Sequence, residues 1–95
     1  MVRKLTKDEL RECRKLVLEN LPRLNNFLLS KEYKLSDKDF NVCILFRLGF
    51  KSKEVSNMLD VTQGRISQIS SKILQELFHE NTGGASELIE KLYSI

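Results

Sequence analysis

The segment "FNVCILFRL", residues 40–48, constrains the fold more than any other part of the sequence. Ser36 and the acids that follow it are typical of a helix start, and Gly49 is typical of a helix end. The consecutive apolar residues 42–46 then occupy nearly every side of this helix. Such a helix is covered on more than one side. We expect residues 59–77 on one side of it and N-terminal helices on the other.

The first third of the chain carries the signals of two helices. Thr6 and Glu9 form a capping-box pattern, so a helix should begin just after Thr6. Pro22 interrupts the apolar period, and should either end this helix near Asn20 or open a second helix in its first turn. We interpret residues 1–34 as an N-terminal helical extension and as a candidate dimerisation surface.

Two helices joined by a tight turn are predicted next. Ser52 can cap a short helix over "KEVSNML", and Asp60 tolerates the unusual backbone angles of a turn. Thr62 can cap a longer helix that runs from Gln63 to about Phe78. A short helix, a three-residue turn and a longer helix make a helix-turn-helix.

The last part of the chain, residues 79–95, is predicted to be a loop and a short helix. "HENTGGAS" has two glycines and no apolar period, so the helix should begin at Ala85 or Ser86. Its apolar stripe is Leu88, Ile89, Leu92 and Tyr93. No segment alternates convincingly with a period of two, so we predict an all-α domain of about five or six helices. Within it, we expect residues 35–78 to form a helix-turn-helix domain and residues 79–95 to pack on the core.

One side of the helix that begins at Gln63 is polar but almost uncharged. On a helical wheel its core side is formed by Ile66, Ile69, Ile73 and Leu77. The opposite side carries Gly64, Ser67, Gln68, Ser71 and Gln75. A helix in the major groove of DNA uses short hydrogen-bonding side chains of this kind to contact base edges. This side therefore predicts a DNA interface.

The predicted interface divides into base contacts and phosphate contacts. Gln pairs bidentately with adenine, and Gly64 lets the backbone approach the duplex although glycine costs about 1 kcal/mol of helix propensity relative to Ala. The predicted base contacts are Gln63, Gly64, Ser67, Gln68 and Ser71. The predicted phosphate contacts are Lys51, Ser52, Lys53, Thr62, Arg65 and Lys72, with Arg47 as a further candidate. So few phosphate contacts per chain favour a homodimer.

The same stretch resembles two known families. Residues 49–77, "GFKSKEVSNMLDVTQGRISQISSKILQEL", are similar to the effector domain of LuxR-type response regulators at Gly49, Lys53, Glu54, Val55, Leu59, Val61, Thr62, Ile66, Ile73 and Leu77. Residues 62–77 also resemble region four of sigma factors, with identities at Thr62, Arg65, Ile66, Gln68, Ile69, Lys72, Leu74 and Leu77. Both resemblances imply a tetrahelical fold and a transcriptional regulator that binds double-stranded DNA.

The sequence departs from these families at positions that contact DNA. Sigma factors read bases largely with charged residues where this chain has Gln63, Gly64 and Ser67, so their base preference is not implied here. Glu76 stands where both families usually carry Lys, which removes one phosphate contact. The arrangement also resembles the C-terminal end of some membrane-anchored sensor-regulators. We expect a free-standing relative of such effectors or an excised domain of one, with an upstream sensor module as a candidate partner.

The distribution of charge favours an alternative. The net charge is +3, of which residues 1–34 contribute +4, residues 35–78 only +1 and residues 79–95 −2. A nearly neutral helix-turn-helix can instead be a protein-interaction module that docks on RNA polymerase, a sigma factor or another regulator. Leu74 and Phe78 lie outside the core stripe, and either meet a terminal helix of the same chain or form a dimer seam.

Other classes of protein are not indicated. Cys13 and Cys43 lie among apolar residues and read as small core residues, and His79 has no partner at metal-ligand spacing. We expect no metal, no cofactor and no enzymatic activity. No apolar run approaches the roughly 20 residues that span a bilayer, and the charged start lacks the apolar region of a signal peptide. The predicted location is therefore the cytoplasm, without membrane contact.

Overall fold

The computed structural model describes residues 4–31 and 34–95. Within these ranges the chain forms helices and no strand, which confirms the all-α prediction. The helices are α1 (Lys7–Asn20), α2 (Pro22–Ser30), α3 (Asp37–Arg47), α4 (Ser52–Leu59), α5 (Gln63–Phe78) and α6 (Ala85–Tyr93). None of these helices is long and apolar enough to cross a membrane. Residues 32–33, between α2 and α3, lie outside the described residues.

Helix α3 lies at the centre of the fold. Its consecutive apolar residues, Val42 to Phe46, are all buried. Burying a Val, Ile, Leu or Phe side chain contributes about 1.5–3 kcal/mol to the free energy of unfolding. The predicted cover by α5 and the N-terminal helices is present, since both α1 and α5 pack on α3. The prediction was incomplete, because α4 and α6 also pack on α3.

Local capping explains where most helices begin. The Thr6 hydroxyl accepts the Glu9 amide at 3.2 Å, and the Glu9 carboxylate accepts the Thr6 amide at 3.0 Å, as the capping box requires. Pro22 is the first residue of α2, after α1 has ended at Asn20. The predicted Ser52 cap is wrong, since α4 already includes Ser52. There the Glu54 carboxylate accepts the amide of Lys51 at 2.9 Å, which moves the helix start back by one residue.

Two residues in left-handed backbone conformations bound α5. Asp60 (φ 58°) ends α4, and the next amide, of Val61, donates to the Ser56 carbonyl at 2.9 Å. His79 (φ 57°) ends α5, and the Glu80 amide donates to the Leu74 carbonyl at 3.1 Å. The first of these makes the turn between α4 and α5 tight enough for the two helices to pack together.

The N-terminal helices are part of the same core. Leu24 and Leu28 of α2 are buried, and Phe27 stacks on Phe78 of α5 with ring centroids 5.2 Å apart. Leu74 is fully buried as well. Phe78 therefore meets a helix of the same chain, as one of the two alternatives predicts, and remains half-buried, while Leu74 is enclosed in the core.

Helix α6 matches its predicted stripe except at one position. Leu88 and Leu92 are buried, whereas Tyr93 remains 48% exposed. The Arg47 guanidinium lies 4.3 Å from the centroid of the Tyr93 ring. Tyr93 therefore packs against a cation at the surface and not in the core.

Candidate nucleic-acid interface

The core side of α5 is as the helical wheel predicts. Ile66, Ile69 and Ile73 are at most 1% exposed, and Leu77 is 5% exposed. Ser70 is also fully buried, which the wheel did not indicate, and its hydroxyl donates to the Ile66 carbonyl at 2.7 Å. This intrahelical bond removes the cost of burying an unpaired hydroxyl. The burial of these residues fixes the rotation of α5 and hence which side faces outward.

The outward side of α5 carries every predicted base-contact residue. These residues are all exposed: Gln63, Gly64, Ser67, Gln68 and Ser71. We call this set the polar face. Its N-terminal end begins directly after Thr62, whose hydroxyl accepts the Arg65 amide at 3.0 Å. That bond occupies the hydroxyl as an acceptor and leaves its proton free for a phosphate.

Packing within the chain does not explain Gly64. A Cβ built at this position meets only the Thr62 hydroxyl oxygen, at 3.9 Å, and φ of Gly64 is not in the left-handed region. Alanine would therefore fit and would favour the helix. No contact with the described residues requires a glycine at this position. The open space beside Gly64 leaves room for another molecule to approach the backbone.

Gln68 is oriented by a neighbour on the same helix. Arg65 Nη1 donates to Gln68 Oε1 at 3.3 Å, between two exposed side chains one turn apart. The carboxamide oxygen keeps a second lone pair, and its NH2 group keeps both protons. The Gln68 side chain can therefore still offer one acceptor and one donor side by side, as bidentate pairing with adenine requires.

Ser71 is partly engaged by the loop that follows α5. Its hydroxyl donates to the Gly83 carbonyl at 2.7 Å. The loop of residues 79–84 therefore touches the C-terminal end of the polar face. Since the single hydroxyl proton is used within the chain, Ser71 can act toward a base only as an acceptor.

Lys72, predicted as a phosphate contact, is held in an ion pair. Its Nζ lies 2.9 Å from Asp39 Oδ2, in a pair whose Asp39 side chain is 4% exposed and whose Lys72 side chain is 53% exposed. The same Asp39 oxygen accepts the Ser36 amide at 3.2 Å at the start of α3. Lys72 therefore neutralises a buried carboxylate, while half of its side chain still reaches solvent. Sequence reasoning missed this pair because the two residues are far apart in the chain.

The other predicted phosphate contacts lie at two helix starts. Lys51 and Lys53 are exposed and Ser52 is half-buried at the start of α4, while Arg65 is exposed in the first turn of α5. Helix N-termini attract phosphate through unpaired amides and the helix dipole. Arg47, the further candidate, is instead stacked on Tyr93.

Burial disfavours the thiolate form of both cysteines. Burial, with a smaller contribution from Asp39, raises the pKa of the Cys43 thiol to about 12. Burial first, then Glu9 and Glu12, also raises the pKa of Cys13. Both thiols are therefore protonated at neutral pH. In the described part of the chain, no group of His, Cys, Asp and Glu side chains is placed to hold a metal ion.

Comparison with protein-family models, with curated proteins and with solved structures gives no match for this chain. The resemblance to LuxR-type and sigma region-four domains therefore stays a prediction that rests on the residues quoted for it.

Proposed function

We propose that this chain is a sequence-specific double-stranded DNA-binding protein that regulates transcription. In this proposal α4, the turn and α5 act as a helix-turn-helix of the LuxR or sigma region-four kind. Helix α5 lies in the major groove and presents the polar face to base edges. Lys51, Lys53 and Arg65 contact phosphates on either side of it.

A single observation carries this proposal: the polar face is exposed and hydrogen-bonding, and at Gly64 packing within the chain does not explain its composition. Ordinary solvated faces carry Lys and Glu, whereas this one carries Gln, Ser and a glycine that packing does not require. Gln68 is held by Arg65 with a donor and an acceptor still available. These features match direct readout of a major groove.

A second copy of the chain belongs to the proposal. The predicted phosphate contacts are few, and two chains would double them. Large exposed apolar side chains that could join two copies lie in the N-terminal helices, at Leu16 (56% exposed) and Leu29 (49% exposed). Their exposure agrees with the prediction that the N-terminal region contributes to dimerisation.

The test is a binding experiment on a duplex selected from a random library. We expect Gln68→Ala to reduce discrimination between the selected duplex and a scrambled one by about 1–3 kcal/mol, because one bidentate base contact is lost. Gln75→Ala is the matched control, since Gln75 is also exposed but lies two turns further along α5. Fluorescence anisotropy measures both affinities. Equal discrimination by the two variants would contradict base reading through the polar face.

The alternative is a docking module that contacts protein and does not read DNA. It is favoured by Lys72, whose charge is already paired with Asp39, and by the net charge of only +1 in residues 35–78. RNA polymerase, a sigma factor or another regulator is the partner in this case. If purified polymerase holoenzyme binds the chain in a Gln68-dependent way while no duplex is selected, the docking function replaces DNA binding.

A further inference from the structure

The segment before α1 is attached beside the turn that precedes α5. The Leu5 amide donates to the Met58 carbonyl, near the end of α4, at 2.9 Å. Lys4 Nζ lies 3.6 Å from Asp60 Oδ2, in the turn itself. The first residues of α1 are therefore close to the start of α5, although more than fifty residues separate them along the chain.

A groove of about 610 Å³ lies between α1, the first turn of α3 and the end of α4. Its apolar lining includes Leu10 and Leu59. Among the residues that the structure describes, five basic side chains line it against one acidic side chain, Asp37. We call it the basic groove.

The cations of the basic groove differ in how firmly they are held. Arg14 is fixed, with Nη2 donating to Asn41 Oδ1 at 3.2 Å and its guanidinium 4.2 Å from the Phe40 ring centroid. Lys7 and Lys38 are exposed, and Arg11 forms an exposed pair with Asp8 at 3.5 Å. Exposed pairs of this kind contribute little, so they are easily exchanged for a phosphate.

The first turn of α3 contacts both the basic groove and α5. It supplies Asp37 and Lys38 to the groove, and its Asp39 pairs with Lys72 of α5. On α5, Arg65, Gln68 and Lys72 follow one another at helical spacing. The start of α3 therefore connects the groove to the side of α5 that carries its cations.

We propose that the basic groove binds phosphates of the same duplex, beyond the base pairs that α5 reads. This inference rests on the proposed function and extends it to the N-terminal helix. It gives a role to the basic excess of residues 1–34, because the fold brings Lys7 and Arg11 beside the nearly neutral helix-turn-helix. An acidic protein segment would also suit the charge, but the contact of the first turn of α3 with both the groove and Lys72 of α5 favours the backbone of the duplex that α5 is proposed to contact.

The experiment compares two double variants with equal loss of charge. Lys7→Gln with Arg11→Gln removes two cations of the basic groove. Lys15→Gln with Arg23→Gln is the control, because both residues are exposed and neither lines the groove. Affinity for the selected duplex is measured by anisotropy over a range of salt concentrations. We expect the salt dependence of the groove variant to be weaker, with the magnitude of the slope of log affinity against log salt smaller by about 1.8. In the control the magnitude should fall by less than half of that.

A second measurement locates the contact on the DNA. The selected duplex is shortened at its ends until only the base pairs needed for discrimination remain. The unaltered chain should lose affinity on the shortened duplex, whereas the groove variant should lose much less, because its flanking contacts are already gone.

The outcomes separate this inference from the proposed function. The basic-groove proposal is overturned if the two double variants have equal salt slopes. It is also overturned if shortening the duplex costs the groove variant and the unaltered chain the same affinity. In either case the proposed function stands as long as discrimination still depends on Gln68. A chain that selects no duplex overturns both. A groove variant that binds an acidic peptide more weakly but DNA unchanged assigns the basic groove to a protein partner and overturns the proposal.

Discussion

The ion pair between Asp39 and Lys72 connects the start of α3 with the candidate interface on α5. Asp39 caps α3 through the Ser36 amide, and this position buries its carboxylate. Lys72 supplies the compensating charge from the flank of the polar face. A phosphate that approaches Lys72 therefore either competes with Asp39 for the Lys72 ammonium group or shares that group with Asp39.

At the scale of single residues, we predict that Lys72→Ala destabilises the protein. The free energy of unfolding should fall by about 1–2 kcal/mol, because the buried carboxylate loses its cation but keeps its bond to the Ser36 amide. Urea denaturation measures the change, with the exposed Lys51→Ala as control. Adding Asp39→Asn should recover part of the loss; if Lys72→Ala costs no more than the control, the ion pair has no structural role.

The same variant tests the predicted phosphate contact of Lys72. Under conditions where the variant remains folded, its affinity should fall for all duplexes and its salt slope should flatten by about 0.9. An unchanged slope would mean that Lys72 serves the fold alone.

At the scale of elements, both ends of α5 depend on unusual backbone conformations. The Asp60 conformation sets the short turn that leads into α5, and the His79 conformation ends the helix before the loop that touches Ser71. Neither position has the glycine that usually adopts such angles. The position of the polar face is thus maintained at a small cost in stability.

We predict that His79→Gly stabilises the protein. A left-handed conformation costs a residue with a Cβ about 1 kcal/mol or more, and glycine avoids this cost. The midpoint of thermal unfolding should rise. Asn81→Gly is the control: Asn81 is an exposed residue of the same loop without a positive φ, so added glycine flexibility should lower its midpoint slightly. A fall of the midpoint in both variants would show that the His79 conformation is not strained.

At the scale of the whole molecule, the N-terminal helices pack on the helices that carry the candidate interface. Helix α1 covers α3, and Phe27 of α2 stacks on Phe78 at the end of α5. The extension is therefore packed into the unit that presents the polar face, in addition to any part it has in dimerisation.

We predict that Phe27→Ala weakens the whole domain and not only α2. The loss should be about 2 kcal/mol, because a half-buried ring and its stacking partner are separated. Leu29→Ala, in the same helix but 49% exposed, should cost much less. Hydrogen exchange should show faster exchange in α5 as well as in α2 of the Phe27 variant. Faster exchange confined to α2 would mean that the N-terminal helices unfold separately.

Much of the local architecture could be predicted from the sequence. The caps at Thr6, Ser36 and Thr62, and the helix opened by Pro22, depend on contacts between residues a few positions apart, which the sequence order alone specifies. The core side of α5 follows from the same regularity, because helical spacing places its isoleucines on one side. The polar face of α5 was therefore visible before any tertiary contact was known.

Only the tertiary structure decided what surrounds that face. The pairing of Lys72 with Asp39, the bond from Ser71 to Gly83 and the attachment of Leu5 at Met58 join residues between 12 and 53 positions apart. Periodicity states which side of a helix is apolar but not which other helix will cover it, since many pairings bury a similar area. The basic groove arises from the packing of α1 beside α3 and α4. The sequence shows that residues 1–34 are basic, but only this packing shows where their charge lies on the surface.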